Sequence, residues 1–179
     1  VATIPVIPTE APGNFNTSAL WNANVFGGLN YLLNPVRFKA YSSTAQSIAN
    51  GTSSTTLTLD TEIIDTDGGH STVTNTSRYT AQTAGLYYVS GYCCIGPTTG
   101  STTGTRTIQI FLNGGGVTGS AVQAAPSPLN GTGVFTATLV QMNVGDYVEI
   151  AFWQNSGGSQ STSTTNALVS TMNLWRISA

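Results

Sequence analysis

The stretch RYTAQTAGLYYVSGYCCI, Arg78 to Ile95, decides the fold. Its first four residues, Arg78 to Ala81, read as a short strand. Thr83-Ala84-Gly85 reads as a tight turn in which Gly85 takes positive φ. From Leu86 the side chains alternate across a long strand. Tyr87, Val89, Gly91, Cys93 and Ile95 face one side, and Leu86, Tyr88, Ser90, Tyr92 and Cys94 the other. Both sides are aromatic or apolar, so the pattern predicts a central strand covered on both faces.

Outward from this strand the pattern repeats. Past Val36 every segment is short and β-branched or aromatic, with Gly, Asn, Asp and Ser between, as in an antiparallel sandwich. Strands are expected near 36–41, 45–48, 54–60, 71–74, 78–81, 86–95, 105–113, 117–124, 132–140, 146–154 and 170–178. Loops are expected at 98–104, 113–116 and 156–165. The last of these is a Gly/Ser/Gln/Thr stretch read as the most mobile part of the chain, pointing into solvent or toward a receptor. Asn113-Gly114 supplies the positive φ of a hairpin. Gly145-Asp146 makes the turn that launches the strand from Tyr147.

Before Val36 the character changes. Pro5, Pro8 and Pro12 forbid a helix and favour an extended arm. The arm carries Ile4, Val6, Ile7 and Phe15, which have no sandwich positions to fill and are read as docking residues. Residues 17–33 form the one helix candidate, capped at Asn16, Thr17 or Ser18 and closed by Asn34-Pro35. Trp21, Val25, Leu29 and Leu32 or Leu33 make an apolar stripe that either folds back on the body or pairs with other copies. Gly27-Gly28 weakens its middle. The reading is thus an all-β jelly-roll sandwich of about ten short strands (36–179), preceded by an extended docking arm and one short helix (1–35).

Composition narrows the function. The chain has 179 residues, of which only 7% are charged, against roughly 25% in ordinary domains. Such a surface stays wet through Ser, Thr, Asn and Gln, as suits a long-lived extracellular or particle-bound protein, and repels other copies little. Five basic residues in 179 make no stripe for phosphates, so no nucleic-acid partner is expected. There is no apolar run of about 18 residues, so no membrane insertion is expected. The start at Val1 reads as simple trimming, with no signal peptide. Cys93 and Cys94 are neighbours on a strand, point to opposite faces and cannot bridge one another without distortion; they read as small buried apolar residues.

The chemistry of the chain is sparse. His70 is the only histidine, and no spacing offers it a nucleophile, so neither a triad nor a His/Cys metal cluster is expected. Asp60, Glu62, Asp65 and Asp67 cluster in LDTEIIDTDGGH. Asp65 and Asp67 are weak calcium candidates, since hard cations take oxygen ligands on a turn; a plain Asx turn is the alternative. A glycosidase pair of Asp65 or Asp67 with Asp146 or Glu149 would need two opposed carboxylates, which spacing does not supply. No cofactor is expected.

A set of motifs falls in a fixed order: Phe38-Lys39-Ala40, Leu57-Thr58-Leu59-Asp60, Arg78-Tyr79-Thr80-Ala81, Ala84-Gly85-Leu86-Tyr87, Ile110 to Gly114, Leu139 with Val144-Gly145-Asp146-Tyr147-Val148-Glu149, and Met172-Asn173-Leu174-Trp175. Over about residues 36–179 this resembles the trimeric jelly roll of the complement globular head and tumour necrosis factor superfamily. The charge-poor form, with Trp21-Asn22 and Leu29-Asn30-Tyr31-Leu32-Leu33-Asn34-Pro35 ahead of the opening strand, resembles small tail or head surface proteins of bacteriophages infecting actinobacteria. The resemblance implies a non-enzymatic homotrimer on a virion surface, with Leu86, Tyr87, Tyr88 and Tyr92 in the core or trimer interface. The N-terminal segment would hold other virion proteins. Two placements stay open: a minor tail protein at the tip or fibre that contacts a host-envelope glycan or protein, and a capsid decoration protein. A secreted ligand or lectin-like module and, last, a glycan-degrading enzyme are the other readings.

Overall fold

The computed structural model describes residues 17–96, 103–127 and 131–178. Thirteen strands follow a helical run: β1 (Arg37–Tyr41), β2 (Ser47–Ile48), β3 (Thr55–Thr56), β4 (Thr61–Asp65), β5 (Arg78–Thr80), β6 (Gly85–Ile95), β7 (Arg106–Leu112), β8 (Gly115–Gly116), β9 (Val122–Ala124), β10 (Thr132–Met142), β11 (Tyr147–Gln154), β12 (Gln160–Ser161) and β13 (Thr171–Ser178). Two antiparallel sheets form the jelly roll. The front sheet has the order β10-β6-β13-β1-β4. The back sheet has the order β3-β11-β7-β8, with β5 also on β11 and β9 also on β7. A small pair, β12 with β2, closes one end.

The central strand is β6, as its alternation predicts. It pairs with β10 over eleven residues, from Gly85↔Met142 to Ile95↔Thr132, and with β13 on its other edge. Tyr87, Val89, Cys93 and Ile95 point inward and are fully buried. They meet Ile108, Ile110, Val148, Ile150 and Phe152 of the back sheet in one core. Gly91 has a packing reason: a Cβ there would collide with the Ile150 side chain from the opposite sheet. Tyr87 is at the centre, and its hydroxyl donates to the Thr83 carbonyl, which answers the polar end of a buried ring. Gly85 has φ 154, and a Cβ on it would strike the Ser178 carbonyl and the Arg176 side chain. Asn113 (φ 51) and Gly114 (φ 79) form the expected hairpin. Gly145 (φ 91) precedes Asp146, whose carboxylate accepts from the Asn143 N–H at 2.7 Å.

Four expectations are corrected. No strand forms at 71–74, which is a turn with Val73 exposed. Its residues are β-formers, but the Ser71 hydroxyl accepts from the Val73 and Thr74 N–H groups and curls the chain. The strand expected at 54–60 is hydrogen-bonded as a ladder only at β3; the front-sheet edge is β4, inside the acidic segment read as a turn. The pattern of β4 is irregular because a bulge falls where it meets Lys39 and Ala40 of β1, and an extra residue breaks the period of two. The 156–165 segment is not a free loop. Gln160, Thr162 and Ser163 are buried, and the Thr162 and Ser163 N–H groups donate to the Gln46 and Cys94 carbonyls. Buried Gln154 holds it from beneath, donating to the carbonyls of Ile48 (3.1 Å) and Gly158 (2.8 Å). Polar side chains, rather than apolar ones, pin this segment.

The helical run goes from α1 (Ser18–Leu20) through a wide π turn (Trp21–Phe26) to α2 (Gly27–Leu33). The Thr17 hydroxyl caps it by accepting from the Leu20 N–H. The irregular turn falls just before Gly27-Gly28, which open α2 rather than interrupting it. Of the stripe, Trp21, Leu29, Leu32 and Leu33 are exposed and Val25 is half-buried, and Phe26 beside them is exposed too, so the stripe as a whole does not fold back on the sandwich. Ile4, Ile7 and Phe15 lie outside the described residues.

Candidate interaction face

Strand alternation builds the site. Every residue that β6 sends inward has neighbours that it sends outward, and β10 and β13 do the same on either side. Outward stand Leu86, Tyr88, Ser90, Tyr92 and Cys94 from β6, Phe135, Ala137 and Leu139 from β10, and Thr171, Asn173, Trp175 and Ile177 from β13. None of these carries a charge. Phe135 and Leu139 are 54% and 52% exposed, Trp175 and Ile177 45% and 51%.

Register groups them. Phe135 lies opposite Tyr92, and Leu139 and Trp175 lie opposite Tyr88 from its two sides. The Tyr88 and Trp175 rings stack with centroids 4.4 Å apart. Cross-strand aromatic pairs of this kind hold a sheet face rigid. Burial, with Cys94 beside it, pushes the Tyr92 hydroxyl up to about 12, so Tyr92 stays neutral across the physiological range. The sequence placed Leu86, Tyr88 and Tyr92 here and Tyr87 on the inner side. It missed Phe135, Leu139, Trp175 and Ile177. Their signal was the alternation of β10 and β13 themselves, in which residues facing away from the core are also apolar.

Charges sit at the margins. Arg37 and Lys39 are exposed on β1 and Glu62 on β4, beside exposed Ile63 and Ile64. Between Pro35, Arg37, Tyr88 and Trp175 the face dips into a groove of about 480 Å³ where the chain arrives from the helix.

Past β4 the acidic segment makes a turn. The Asp65 carboxylate accepts from the N–H groups of Gly68 (2.9 Å), His70 (2.8 Å) and, at 3.3 Å, Asp67. Asp67 instead accepts from the Tyr79 hydroxyl at 2.7 Å, and burial, reinforced by Asp65, raises its carboxyl above the usual range. The two candidates thus serve an Asx-type network and a buried tyrosine, with their carboxylates beside one another. Among the described residues no group of three or more His, Cys, Asp or Glu side chains could hold a metal ion. His70 is engaged at both nitrogens, by Glu62 at 3.3 Å and the Thr76 carbonyl at 3.2 Å, and packs on Phe38. Glu149 is bound by Ser77 (2.6 Å) and Arg78 (3.2 Å), and Asp146 by Asn143 and Asn113. Each carboxylate proposed for hydrolysis therefore has a structural partner.

No protein-family model matches the chain, and no curated protein matches its sequence. Solved structures do match its fold. The globular domain of zebrafish complement 1qA superposes with a TM-score of 0.58 at 12% identity, over 80% of this chain and 98% of that one. Murine APRIL, of the tumour necrosis factor family, superposes at pH 5.0 with a TM-score of 0.56 and 9% identity, over 80% of this chain and all of its own. At pH 8.5 the same protein gives 0.57. The likeness is one of fold, the jelly roll that the motif order resembled.

Proposed function

We propose that this chain is a non-enzymatic binding module that works as a homotrimer, joined through the outward face of β10, β6 and β13. One observation carries the reading: that face is charge-free and aromatic, with Phe135, Leu139, Trp175 and Ile177 left open to water. A contiguous apolar surface of this kind on an isolated domain marks an association site. The likeness to complement 1qA and APRIL domains supports the same oligomer. Identical copies approach such a face without charge repulsion.

At finer scale, the reading is a structural protein on a virion surface of a bacteriophage, as a minor tail protein whose body meets the host envelope. The sequence resemblance and the scarcity of charge support it. The second reading, capsid decoration, draws on the exposed helical run as a means of attachment to the particle. Light scattering on the purified chain is the first test, and the expected mass is three times 18.5 kDa. Immunogold labelling of purified particles then separates tail from capsid, and label on neither overturns the virion assignment. Glycan-array binding without particle labelling would favour a secreted lectin-like module, and release of reducing sugar would overturn the non-enzymatic reading.

A further inference from the structure

We infer that the helical run Ser18–Leu33 is a stem on which copies of this chain meet one another in parallel, beneath the jelly-roll heads. The inference rests on the trimer reading above and adds a second, separate contact to it. Trp21, Phe26, Leu29, Leu32 and Leu33 are 54%, 62%, 51%, 72% and 74% exposed. The substantial contacts of the helical turns are with each other and not with either sheet. Sixteen residues with two glycines and no ion pair make a helix that is marginal alone in water. Among the described residues nothing else covers its apolar side chains.

Two features select a second copy as that cover. The first is charge. From Ala11 to Val36 the sequence has no charged residue, with Glu10 and Arg37 the nearest on either side. A stem without charge offers no pattern by which a different, charged partner would be chosen, and it puts no repulsion between identical stems. The second is position. Leu33 is followed by Asn34 and Pro35, and Pro35 shares a groove with Arg37, Tyr88, Asn173 and Trp175. The stem thus leaves the body at the margin of the face through which the heads are proposed to join. Copies related by a three-fold axis run parallel, so each residue meets its own equivalent at the same height. Gly28 faces open space: among the described residues, its own helix backbone aside, nothing lies within 4 Å of where a Cβ would be.

The test uses the full chain with Leu32→Cys. Cys93 and Cys94 are buried, and burial pushes the Cys93 thiol up to about 12 and raises Cys94 as well, so the native thiols stay out of the reaction. With copper–phenanthroline as oxidant, two Leu32→Cys thiols lose two electrons and two protons to form one disulfide. The expected result is rapid linkage of two chains in every three, at a rate independent of protein concentration. Val73→Cys, on a turn residue that is 84% exposed, is the reference and should link at least tenfold more slowly. A trimer in which neither Leu32→Cys nor Asn34→Cys links faster than Val73→Cys overturns the stem and leaves the head interface standing, and it assigns the stripe to a different protein. A monomer in light scattering overturns both. Because Leu32→Cys removes part of the stripe, Asn34→Cys is read alongside it; linkage of either within the trimer supports the stem.

Discussion

At the scale of single residues, Tyr87 and Asp60 show two kinds of dependence. Tyr87 has no exposed surface and touches both sheets through its ring, while its hydroxyl serves the Thr83 carbonyl. Tyr87→Ala should cost about 3–5 kcal/mol in chemical denaturation, as large buried rings do. Tyr87→Phe removes only the hydrogen bond and should cost on the order of 1 kcal/mol; equal losses in the two variants would mean that the ring is not central. Asp60 is different because it works through charge. Burial alone would raise its carboxyl, but the Ser43 N–H and the Thr44 and Thr61 hydroxyls all bind the ionised form and hold it at about 2. A folded value below the unfolded one, about 3.9, adds stability that is complete above about pH 5 and disappears as pH falls through 2. The group is largely solvated, so the effect is modest. Melting curves of the wild type and Asp60→Asn should differ at pH 7 and converge near pH 2, and a gap that persists at pH 2 would assign the difference to something other than ionisation.

At the scale of elements, the 156–165 segment is the clearest case of structure made by polar groups. Gln154 is fully buried, donates to the Ile48 and Gly158 carbonyls, and accepts from the Ser156 N–H at 2.8 Å. Gln154→Ala leaves all three backbone groups without that partner and should cost on the order of 2 kcal/mol. It should also speed amide exchange at Gly157–Ser163 while leaving β6 protected, and unchanged exchange there would show that the segment is held by β12 and β2 alone. This is also where the sequence was hardest to read. The β6, β7, β11 and β13 strands were legible because Tyr87, Ile108, Ile150 and Met172 belong to sustained alternations, broken in β13 only at a bulge near its end. The turns were legible because Asn113-Gly114 and Gly145-Asp146 have few other uses. The 156–165 segment has no apolar periodicity, since its anchors are Gln154, Gln160 and Thr162, and polar burial leaves no pattern in hydropathy. The β4 strand failed for another reason: a bulge opposite Lys39 and Ala40 put Ile63 and Ile64 side by side and hid the alternation. Half of the candidate face was legible from β6; the other half, on β10 and β13, required knowing which strands flank it.

At the scale of the whole molecule, the sandwich is asymmetric in a way that predicts its assembly. The back sheet covers its outer side with polar contacts: Glu149 lies 5% exposed under Ser77 and Arg78, and the Arg78 guanidinium sits 4.1 Å over the Tyr147 ring. The front sheet has no such cover over β10, β6 and β13. The large exposed side chains of these three strands, Phe135, Leu139, Trp175 and Ile177, are apolar, with Gln141 and Ser178 at one end. Placing a charge there tests the difference directly. Trp175→Glu puts a carboxylate against the Tyr88 ring, at a position that is 45% exposed in the single chain. In a lone domain that charge stays solvated, so folding should change little, by about 1 kcal/mol or less. In an interface it would be desolvated in every copy, with Arg37 opposite it on β1 as the nearest counter-charge, and carrying both groups out of water would still cost about 1 to a few kcal/mol per subunit. The expected outcome is a chain that keeps its β-rich circular dichroism and melts cooperatively, yet scatters light as a monomer at micromolar concentration. Ile63→Glu, on the exposed edge strand β4 and outside the β10-β6-β13 face, is the comparison and should leave the trimer intact. If Trp175→Glu remains a trimer while Ile63→Glu dissociates, the copies meet along the β4 edge, and the face of β6 is open for a different ligand.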